Sequence, residues 1–220
     1  MTAGDPVAVL ASGGLDSAIL VAQLGSQGRD VRPIYVRFGL AWEDVEVRHL
    51  EQFLDSLPTS NVKSLIVLDQ PVTDLYGAHW SVTGEGVPDD DSPDEAVYLP
   101  GRNMLLLVKS SVWCALNGIR TIALGTLAAN PFPDADPAFF ADFSLLTTRA
   151  LDFPLEVVTP FAGLAKYEVL EAGRQFALDL TFSCIAPRSG HHCGCCNKCA
   201  ERRLAFRKLG IADSTQYVTP

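Results

Sequence analysis

Several features that would assign the chain to a common class of protein are missing from its sequence. No run of about eighteen apolar residues, the length that a membrane-spanning helix needs, occurs among its 220 residues. The first residues lack the basic stretch and the apolar segment of a signal peptide. We therefore expect a cytoplasmic protein without a membrane span.

Basic residues are scarce relative to acidic ones. The chain has 17 Lys and Arg against 26 Asp and Glu, and its formal net charge is −9. Because nonspecific affinity for nucleic acid comes mainly from Lys and Arg, this balance favours a small-molecule substrate over tRNA or another nucleic acid. A basic group near the C-terminus is a local exception, and it predicts a solvated helix face or a site for an anion or a partner subunit. The group consists of Arg188, Lys198, Arg202, Arg203, Arg207 and Lys208.

Two familiar nucleotide-binding patterns, G-x-x-x-x-G-K-[ST] and G-x-G-x-x-G, are also absent. A different glycine loop, Ser12-Gly13-Gly14-Leu15-Asp16-Ser17, lies between an apolar run over 7–11 and a predicted helix over 16–27. Paired glycines permit a sharp turn that leaves backbone N–H groups unobstructed, and the helix adds its unpaired N-terminal N–H groups. The sequence therefore predicts a phosphate-binding loop, and the alternative is a tight strand-to-helix turn that binds nothing.

Strand and helix patterns alternate along the chain. Further strands are predicted over 31–38, 62–68, 121–125 and 155–159, and further helices over 42–57 and 104–117. This alternation predicts an α/β fold with a doubly wound, mainly parallel sheet, which binds ligands at the carboxyl ends of its strands. The acidic segment 84–95 contains prolines and glycines and predicts a solvated, mobile loop.

Five of the six cysteines are clustered between 184 and 199. A spacing of eight, two and two residues separates Cys184, Cys193, Cys196 and Cys199. The two-residue spacing lets thiolates converge on one ion, as tetrahedral zinc with Zn–S bonds of about 2.3 Å requires. Disulfides and an iron–sulfur cluster are the alternatives; reducing conditions disfavour the first and the absence of a following Cys-Pro the second. We expect zinc, with Cys195 as a surplus member and Cys114 in the core.

The loop Ser-Gly-Gly-x-Asp-Ser resembles the pyrophosphatase loop of the ATP pyrophosphatases, which split ATP between the α and β phosphates. Three further motifs follow in order: Pro100-Gly101-Arg102-Asn103, then Thr159-Pro160 before Lys166, and His192-Cys193-Gly194 within the cysteine cluster. Together they resemble the 7-cyano-7-deazaguanine synthase family of queuosine biosynthesis over nearly the whole chain. The resemblance implies a Rossmann-like domain of the adenine nucleotide alpha hydrolase type over 1–180 and a zinc-binding segment with a helix over 181–220.

The same resemblance implies an activity. A member of the family would adenylate 7-carboxy-7-deazaguanine with ATP, form an amide with ammonia, and activate the amide again to give the nitrile. It would use ATP, Mg²⁺ and Zn²⁺ and form a homodimer, although no residue pattern indicates the interface. Two other readings stay open: a family member that adenylates a different carboxylate or a macromolecular acceptor, and a non-catalytic nucleotide-binding zinc protein.

Site residues are implied in the same way. Asp16, Lys166 and Arg102 would be catalytic, and Lys166 would reach the phosphates. Tyr35 and Phe38 would lie near the adenine, although strand aromatics usually pack in the core. The ATP loop would comprise Ser12, Gly13, Gly14, Leu15, Asp16 and Ser17, and the substrate would contact Arg102, Asn103, Asp134 and His192.

Two segments depart from the family pattern. Where the family has a stretch similar to Asp-Tyr-Ser-Gly-Tyr-Pro-Asp-Cys-Arg-Pro-Glu-Phe, this chain has Ala135 and Asp136 in place of the Cys and the Arg. The family's Tyr-Gly-Gln-x-His is here Phe38-Gly39-Leu40-Ala41-Trp42. An added carboxylate at Asp136 would repel an anionic substrate. We therefore expect adenylation chemistry to be retained, with the acceptor substrate left open.

Overall fold

The computed structural model describes residues 4–128 and 130–218 of the protein. One parallel sheet is formed by β1 (Val7–Leu10), β2 (Val31–Arg37), β3 (Ile66–Asp69), β4 (Thr121–Ala123) and β5 (Glu156–Val158). The strands lie in the order β3-β2-β1-β4-β5. This arrangement confirms the predicted α/β class with a doubly wound parallel sheet.

Eight α-helices are found in the described part of the chain. They are α1 (Leu15–Ser26), α2 (Glu43–Asp55), α3 (Thr73–Tyr76), α4 (Trp80–Thr83), α5 (Arg102–Leu116), α6 (Pro137–Leu151), α7 (Lys166–Ala172) and α8 (Asn197–Leu209). Short 3₁₀ turns occur at Asp94–Val97, Pro133–Ala135 and Leu178–Leu180. Within the described ranges, no helix is both long and apolar enough to span a bilayer.

The central strand β1 divides the core into two layers. Ala8 packs in one layer with Leu107 of α5, and Val9 packs in the other with Leu20 of α1 and Val169 of α7. Successive side chains of a strand point to opposite faces, so an all-apolar strand is buried on both sides. The chain runs outward from β1 to β3 and then returns to β4 on the other side of β1. Such a reversal places a ligand crevice at the carboxyl ends of β1 and β4.

The predicted strand over 62–68 is wrong in its first half. Only Ile66–Asp69 forms β3, and Val62 makes an isolated bridge with Val31. Val62 fills a space above Gly25 of α1, where a Cβ atom would lie 2.5 Å from its Cγ2. Val62 therefore packs against α1 and is not part of the regular ladder between β2 and β3.

The acidic segment 84–95 is solvated as predicted, but its backbone is attached to the start of α8. The N–H of Asn197 donates to the carbonyl of Pro88 at 3.0 Å, and Asn197 Nδ2 donates to the carbonyl of Ser92 at 2.8 Å. Asp89 also forms a bridge with Cys196. These hydrogen bonds connect the segment to the first residues of α8.

Arg202 contradicts the expectation of a solvated basic helix face, because its side chain is 1% exposed. Its guanidinium donates to Thr215 Oγ1 (2.7 Å), to Thr181 Oγ1 (2.8 Å) and to the carbonyl of Leu178 (2.7 Å). A buried cation is tolerated when neutral acceptors replace water in this way. Arg202 thereby joins α8 to the segments on both sides of it.

Candidate active site and metal centre

A glycine loop joins β1 to α1 at the carboxyl edge of the sheet. Gly13 has a φ of +79°, and a Cβ atom there would lie 3.2 Å from the carbonyl oxygen of Glu46, so glycine is required. Ser17 Oγ accepts the N–H of Ser12 (3.1 Å) and donates to the carbonyl of Gly14 (3.2 Å). Gly14 is the N-cap of α1 and has no side chain to cap it. The first N–H groups of α1 therefore suit an anion.

A cavity of about 600 Å³ opens over this loop. Its walls come from the carboxyl ends of β1, β2 and β4, from the starts of α5 and α7, and from α8. Gly125 follows β4, and a Cβ atom there would lie 3.0 Å from the carbonyl carbon of Asp16, so the wall packs against α1 only with glycine. Residues expected in the site that line the cavity are Ser12, Gly14, Leu15, Asp16, Ser17, Tyr35, Arg102, Asn103, Asp134 and Lys166.

Lys166 is the first residue of α7 and approaches the loop from the side. The start of α7 is fixed because the Glu168 carboxylate accepts the N–H of Ala165 at 2.7 Å. Lys166 Nζ donates to Asp16 Oδ2 at 2.6 Å and lies 3.0 Å from Glu201 Oε1. Burial disfavours the charged amine, but the two carboxylates outweigh burial and raise the pKa of Lys166. A charged amine is thus held beside the anion-binding loop.

Three polar atoms of the cavity wall are buried without a hydrogen-bond partner: Asp16 Oδ1, Arg102 Nε and Thr126 Oγ1. Burial raises the pKa of Asp16, and Lys166 opposes that rise. Buried polar groups in folded proteins are nearly always paired. Their concentration in one cavity indicates a polar ligand, and the free carboxylate oxygen of Asp16 suits a hard cation such as Mg²⁺.

Arg102, the first residue of α5, is held at the cavity by its neighbours. The N–H of Asn103 donates to Asp134 Oδ2 at 2.9 Å, and Asn103 Nδ2 donates to the carbonyl of Asp134 at 3.1 Å. Gly101, the N-cap, has a φ of +72° and no side chain. Asp134 therefore caps α5 in place of an N-cap side chain, and Arg102 faces the cavity.

Four buried cysteines converge beside the start of α8. The sulfurs of Cys184, Cys193, Cys196 and Cys199 all lie within 4.8 Å of one another. The Cys184–Cys196 and Cys193–Cys199 sulfurs are 3.9 and 4.0 Å apart. Tetrahedral zinc with Zn–S bonds of about 2.3 Å separates its sulfurs by about 3.8 Å. The group fits a single metal ion with four thiolate ligands.

The backbone around the cysteine cluster favours thiolates. The N–H groups of Cys193 and Ala186 point at Cys184 Sγ, at 3.3 and 3.4 Å.

Cys195 does not belong to the group of four, and Cys114 lies in the core as predicted. Burial raises the pKa of the Cys114 thiol to about 12.

The family model described as "Queuosine biosynthesis protein QueC" matches residues 6–210. The chain belongs to the QueC family. It is 30% identical over 217 residues to the 7-cyano-7-deazaguanine synthase of Methanothrix thermoacetophila, covering 94% of this chain and 96% of the relative. It is 31% identical over 228 residues to the synthase of that name from Syntrophobacter fumaroxidans, covering 96% and 95%. These relatives are enzymes, and the predicted family resemblance is confirmed.

A solved structure shares the fold. It is titled as a predicted subunit of tRNA methyltransferase from Methanocaldococcus jannaschii, and it matches with a TM-score of 0.51 at 16% identity. The match covers 78% of this chain and 75% of that one. At 16% identity, this match shows a shared fold and nothing about activity or ligands.

Phe38 does not line the cavity of this QueC-family chain. Tyr35 packs on the face of the sheet that carries α1, whereas Phe38 is 1% exposed in the opposite layer. The two residues are three apart along β2 and its continuation, so their side chains point to opposite faces. Glu43 accepts the N–H of Phe38 at 2.6 Å and so fixes the turn. Phe38 is therefore a core residue rather than a neighbour of the cavity.

His192 is also away from the cavity and is 2% exposed. Its Nε2 accepts the N–H of Ser183 at 3.1 Å, and its ring packs on Phe182 at 4.5 Å and on Tyr217 at 5.6 Å. Burial, with the nearby Arg202, lowers the pKa of His192 to about 3. These contacts give His192 a packing role in place of the expected substrate contact.

The substitution at Asp136 does not add a charge to the cavity. Asp136 is exposed and is the N-cap of α6, where Oδ1 accepts the N–H of Ala138 at 2.7 Å. The expected repulsion of an anionic substrate by this carboxylate is therefore wrong. The other departure does reach the cavity, because Trp42 lines it and stacks on Trp80 at 5.8 Å.

Three carboxylates that line the cavity, Glu46, Asp94 and Glu201, were not among the predicted site residues, and two of them lie on α-helices. Glu46 of α2 is 7% exposed and accepts the Tyr35 hydroxyl at 2.6 Å. Burial raises the pKa of Glu46 to about 8, against the opposing effect of Arg102. Glu201 of α8 contacts Lys166 through Oε1 and accepts Lys198 Nζ at 2.8 Å through Oε2. Neither position carries a local signal, because an acid on an amphipathic helix is usually a solvated residue.

Proposed function

We propose that this protein converts 7-carboxy-7-deazaguanine to 7-cyano-7-deazaguanine with ammonia and ATP. One observation carries the proposal: a chain of the QueC family places an anion-binding loop, a charged lysine and an inward-facing arginine around one cavity. The names of its relatives, which align over almost their full length, support the same substrate and product.

The proposed reaction has two activation steps. A carboxylate oxygen of the acid attacks the α-phosphorus of ATP, and pyrophosphate leaves. Ammonia then attacks the acyl carbon, AMP leaves, and an amide remains. The amide oxygen attacks the α-phosphorus of a second ATP and again releases pyrophosphate. Loss of AMP and of the nitrogen-bound protons gives the nitrile, so one product consumes two ATP molecules.

The glycine loop is proposed to hold the β and γ phosphates of ATP. The unobstructed N–H groups at the start of α1 and the hydroxyls of Ser12 and Ser17 supply donors. Asp16 offers a carboxylate oxygen to Mg²⁺, which when bound would neutralise phosphate charge. Lys166 would exchange its bond to Asp16 for bonds to the leaving diphosphate, whose charge increases as the bond to the α-phosphorus breaks.

Arg102 is proposed to bind the carboxylate of the acid. Its Nε is buried without a partner, and a guanidinium matches a carboxylate in geometry and charge. Asn103 and Asp134 would hold Arg102 in place through the capped start of α5. Two stacked aromatic pairs offer flat surfaces for a bicyclic ring. They are Trp42 with Trp80 and Tyr98 with Phe132, and all four line the cavity.

The segment 181–220 is proposed to bind one structural zinc ion through Cys184, Cys193, Cys196 and Cys199. The fit of the sulfur separations to tetrahedral geometry supports zinc. With four thiolates as ligands, no position would stay open for substrate, so the metal would contribute stability and not chemistry. The remaining residues, 1–180, would form most of the nucleotide-binding unit, to which α8 adds side chains that line the cavity.

A second candidate is adenylation of a different carboxylic acid by the same residues. The observation that favours it is Trp42, which replaces a histidine of the family pattern and lines the cavity. A large indole in place of an imidazole reduces the space, and it offers one N–H donor but no acceptor nitrogen at that wall. Loop and lysine chemistry would be unchanged in this case.

The test incubates purified protein with ATP, Mg²⁺, ammonia and 7-carboxy-7-deazaguanine and follows AMP and the nitrile by mass spectrometry. We expect about two AMP for each nitrile, as the proposed activation steps require. AMP formation with other acids, and none with this one, would favour the second candidate. No AMP from any acid would overturn both.

A further inference from the structure

Lys166 is held from two sides by carboxylates of different elements. Asp16 of the glycine loop binds Nζ at 2.6 Å, and Glu201 of α8 lies 3.0 Å from it. Glu201 in turn accepts Lys198 Nζ at 2.8 Å. The four charged groups form one chain along the cavity wall, and all four line the cavity.

The two carboxylates differ in what a bound nucleotide would do to them. Asp16 lies in the loop itself, where a diphosphate and its cation would compete for its oxygens. Glu201 lies on α8, which also carries Cys199 of the cysteine cluster and the buried anchor Arg202. Helix α8 is thus attached to the rest of the chain at both of these neighbours, and we expect Glu201 to keep its position when the loop binds a ligand.

An ammonium group has three donors, so Lys166 can contact Glu201 and a phosphate oxygen at the same time. Without Glu201, the Lys166 side chain would have more rotamer freedom to lose on binding a phosphate, because long side chains have many accessible rotamers. A carboxylate that restricts Lys166 beforehand removes part of that entropic cost. The geometry therefore indicates that Glu201 orders the Lys166 side chain for ligand binding rather than stabilising the fold.

A purely structural role for Glu201 is weakly supported. Its side chain is 30% exposed and that of Lys166 is 23% exposed. Ion pairs with this much solvent contact contribute little to stability. The same pair positioned beside a binding loop has more effect on the ligand than on the fold.

We propose that Glu201 is a positioning residue that keeps Lys166 directed at the leaving diphosphate of bound ATP. The inference rests on the proposed use of ATP and adds a residue of α8 to the machinery. It also links the helix that begins in the cysteine cluster to the nucleotide end of the cavity.

The first arm of the test measures ATP dissociation constants by calorimetry for the wild type, Glu201→Gln, Lys166→Met and the double variant. We expect about tenfold weaker binding for Glu201→Gln, because a charge-assisted contact to Lys166 is lost. The double variant should bind like Lys166→Met, since Glu201 acts through the lysine. Wild-type affinity of Glu201→Gln, or fully additive losses in the double variant, would overturn the proposal.

The second arm does not depend on ATP. An amine-reactive label is applied without nucleotide, and the Lys166 peptide is quantified by mass spectrometry. Lys166 should label at least about threefold faster in Glu201→Gln than in the wild type, because a held and hydrogen-bonded amine reacts slowly. Equal labelling would overturn the positioning role. If the wild type failed to bind ATP while this labelling difference appeared, the proposed function would fail and the contact would stand.

Glu171→Gln is the matched control. Glu171 of α7 pairs at 3.0 Å with Arg174, which lies just after the helix, and this exposed carboxylate–cation pair does not line the cavity. Its ATP affinity and its Lys166 labelling should equal those of the wild type. Metal content and melting temperature are measured for every variant, and we expect Glu201→Gln to match the wild type in both.

Discussion

The glycine-loop end of the cavity and the cysteine cluster are stabilised in different ways. At the cavity, charged side chains contact one another. Lys166 pairs with Asp16, and each of these two side chains is 23% exposed. At the cluster, Cys193 and Cys199 are 0% exposed, and backbone N–H groups point at the sulfurs. The first arrangement can exchange its partners for a ligand, whereas the second is closed.

This difference separates the expected effects of mutation. A closed metal centre contributes its ligation energy to folding, so damage there lowers stability. An ion pair that a ligand replaces contributes little to folding and much to binding. Both regions take residues from the first turns of α8, Cys199 for the cluster and Glu201 for the cavity. Substitutions at the cavity should therefore change ligand binding and leave the metal content unchanged.

The largest effect is expected at the cluster. Cys193→Ser should lose the metal and several kcal/mol of stability, because ligation by four thiolates contributes about 10–16 kcal/mol in structural zinc sites. Zinc content by mass spectrometry and thermal unfolding provide the measurement. Cys195→Ser is the control, since Cys195 lies outside the group of four and should retain both properties. A fully metallated Cys193→Ser variant with an unchanged melting temperature would contradict the expected contribution of the cluster to stability.

The next effect is on activity without stability. Asp16→Ala should lower turnover by about a hundredfold to a thousandfold, as expected when a group that serves transition-state charge is removed. The melting temperature should change by only a few degrees, about the effect of one partly exposed ion pair. AMP release and thermal unfolding are measured together, with the exposed Asp142→Ala of α6 as the control. Loss of folding in Asp16→Ala would contradict the expectation that the ion pairs of this site contribute to ligand binding rather than to folding.

The smallest expected effect concerns Glu46. Its buried carboxyl group in the cavity lacks a cationic partner as close as Lys166 is to Asp16. Burial raises the pKa of Glu46 from 4.5 to about 8, so between these values the folded protein holds a proton that the unfolded chain has lost. The stability of the wild type should therefore fall as the pH rises through this window and level off above about pH 8. Glu46→Gln keeps an acceptor for the Tyr35 hydroxyl and removes the titration.

Urea unfolding at pH 5 and pH 8 tests this prediction. Relative to the wild type, Glu46→Gln should gain about 3 kcal/mol of stability between pH 5 and pH 8, with only a small difference between the two at pH 5. Tyr35→Phe, which removes the hydroxyl and keeps the ring, shows how much of the difference depends on their hydrogen bond. Identical pH dependence in wild type and Glu46→Gln would show that Glu46 ionises normally.

The parts of the site that were predictable from sequence are those set by local rules. The glycine loop follows from paired glycines between an apolar strand and a helix, and the cysteine cluster follows from spacing. Asp136 carried a readable signal that was overlooked: an Asp followed by a Pro marks a helix start, and here it caps α6. Strand alternation likewise separates Tyr35 from Phe38 without any structure.

Other residues depend on tertiary packing. Glu46 and Glu201 become site residues only because α2 and α8 bring them to the carboxyl edge of the sheet. Arg202 is buried because acceptors from two distant segments surround it, and no pattern within α8 indicates them. A resemblance to a family supplied Lys166 and Arg102, but the contacts that fix them came from the fold.

The closeness of Gly125 to Asp16 has a practical consequence for redesign. Any larger residue at position 125, just after β4, would bring a Cβ atom to 3.0–3.2 Å from the backbone of Asp16 and Ser17, so backbone packing sets the width of the cavity on this side. An engineer who wishes to admit bulkier or smaller acids must work from Trp42 and Phe132 instead. Under the proposed function, we expect the range of acids to be changeable on the aromatic side of the cavity while the glycine-loop side stays constant.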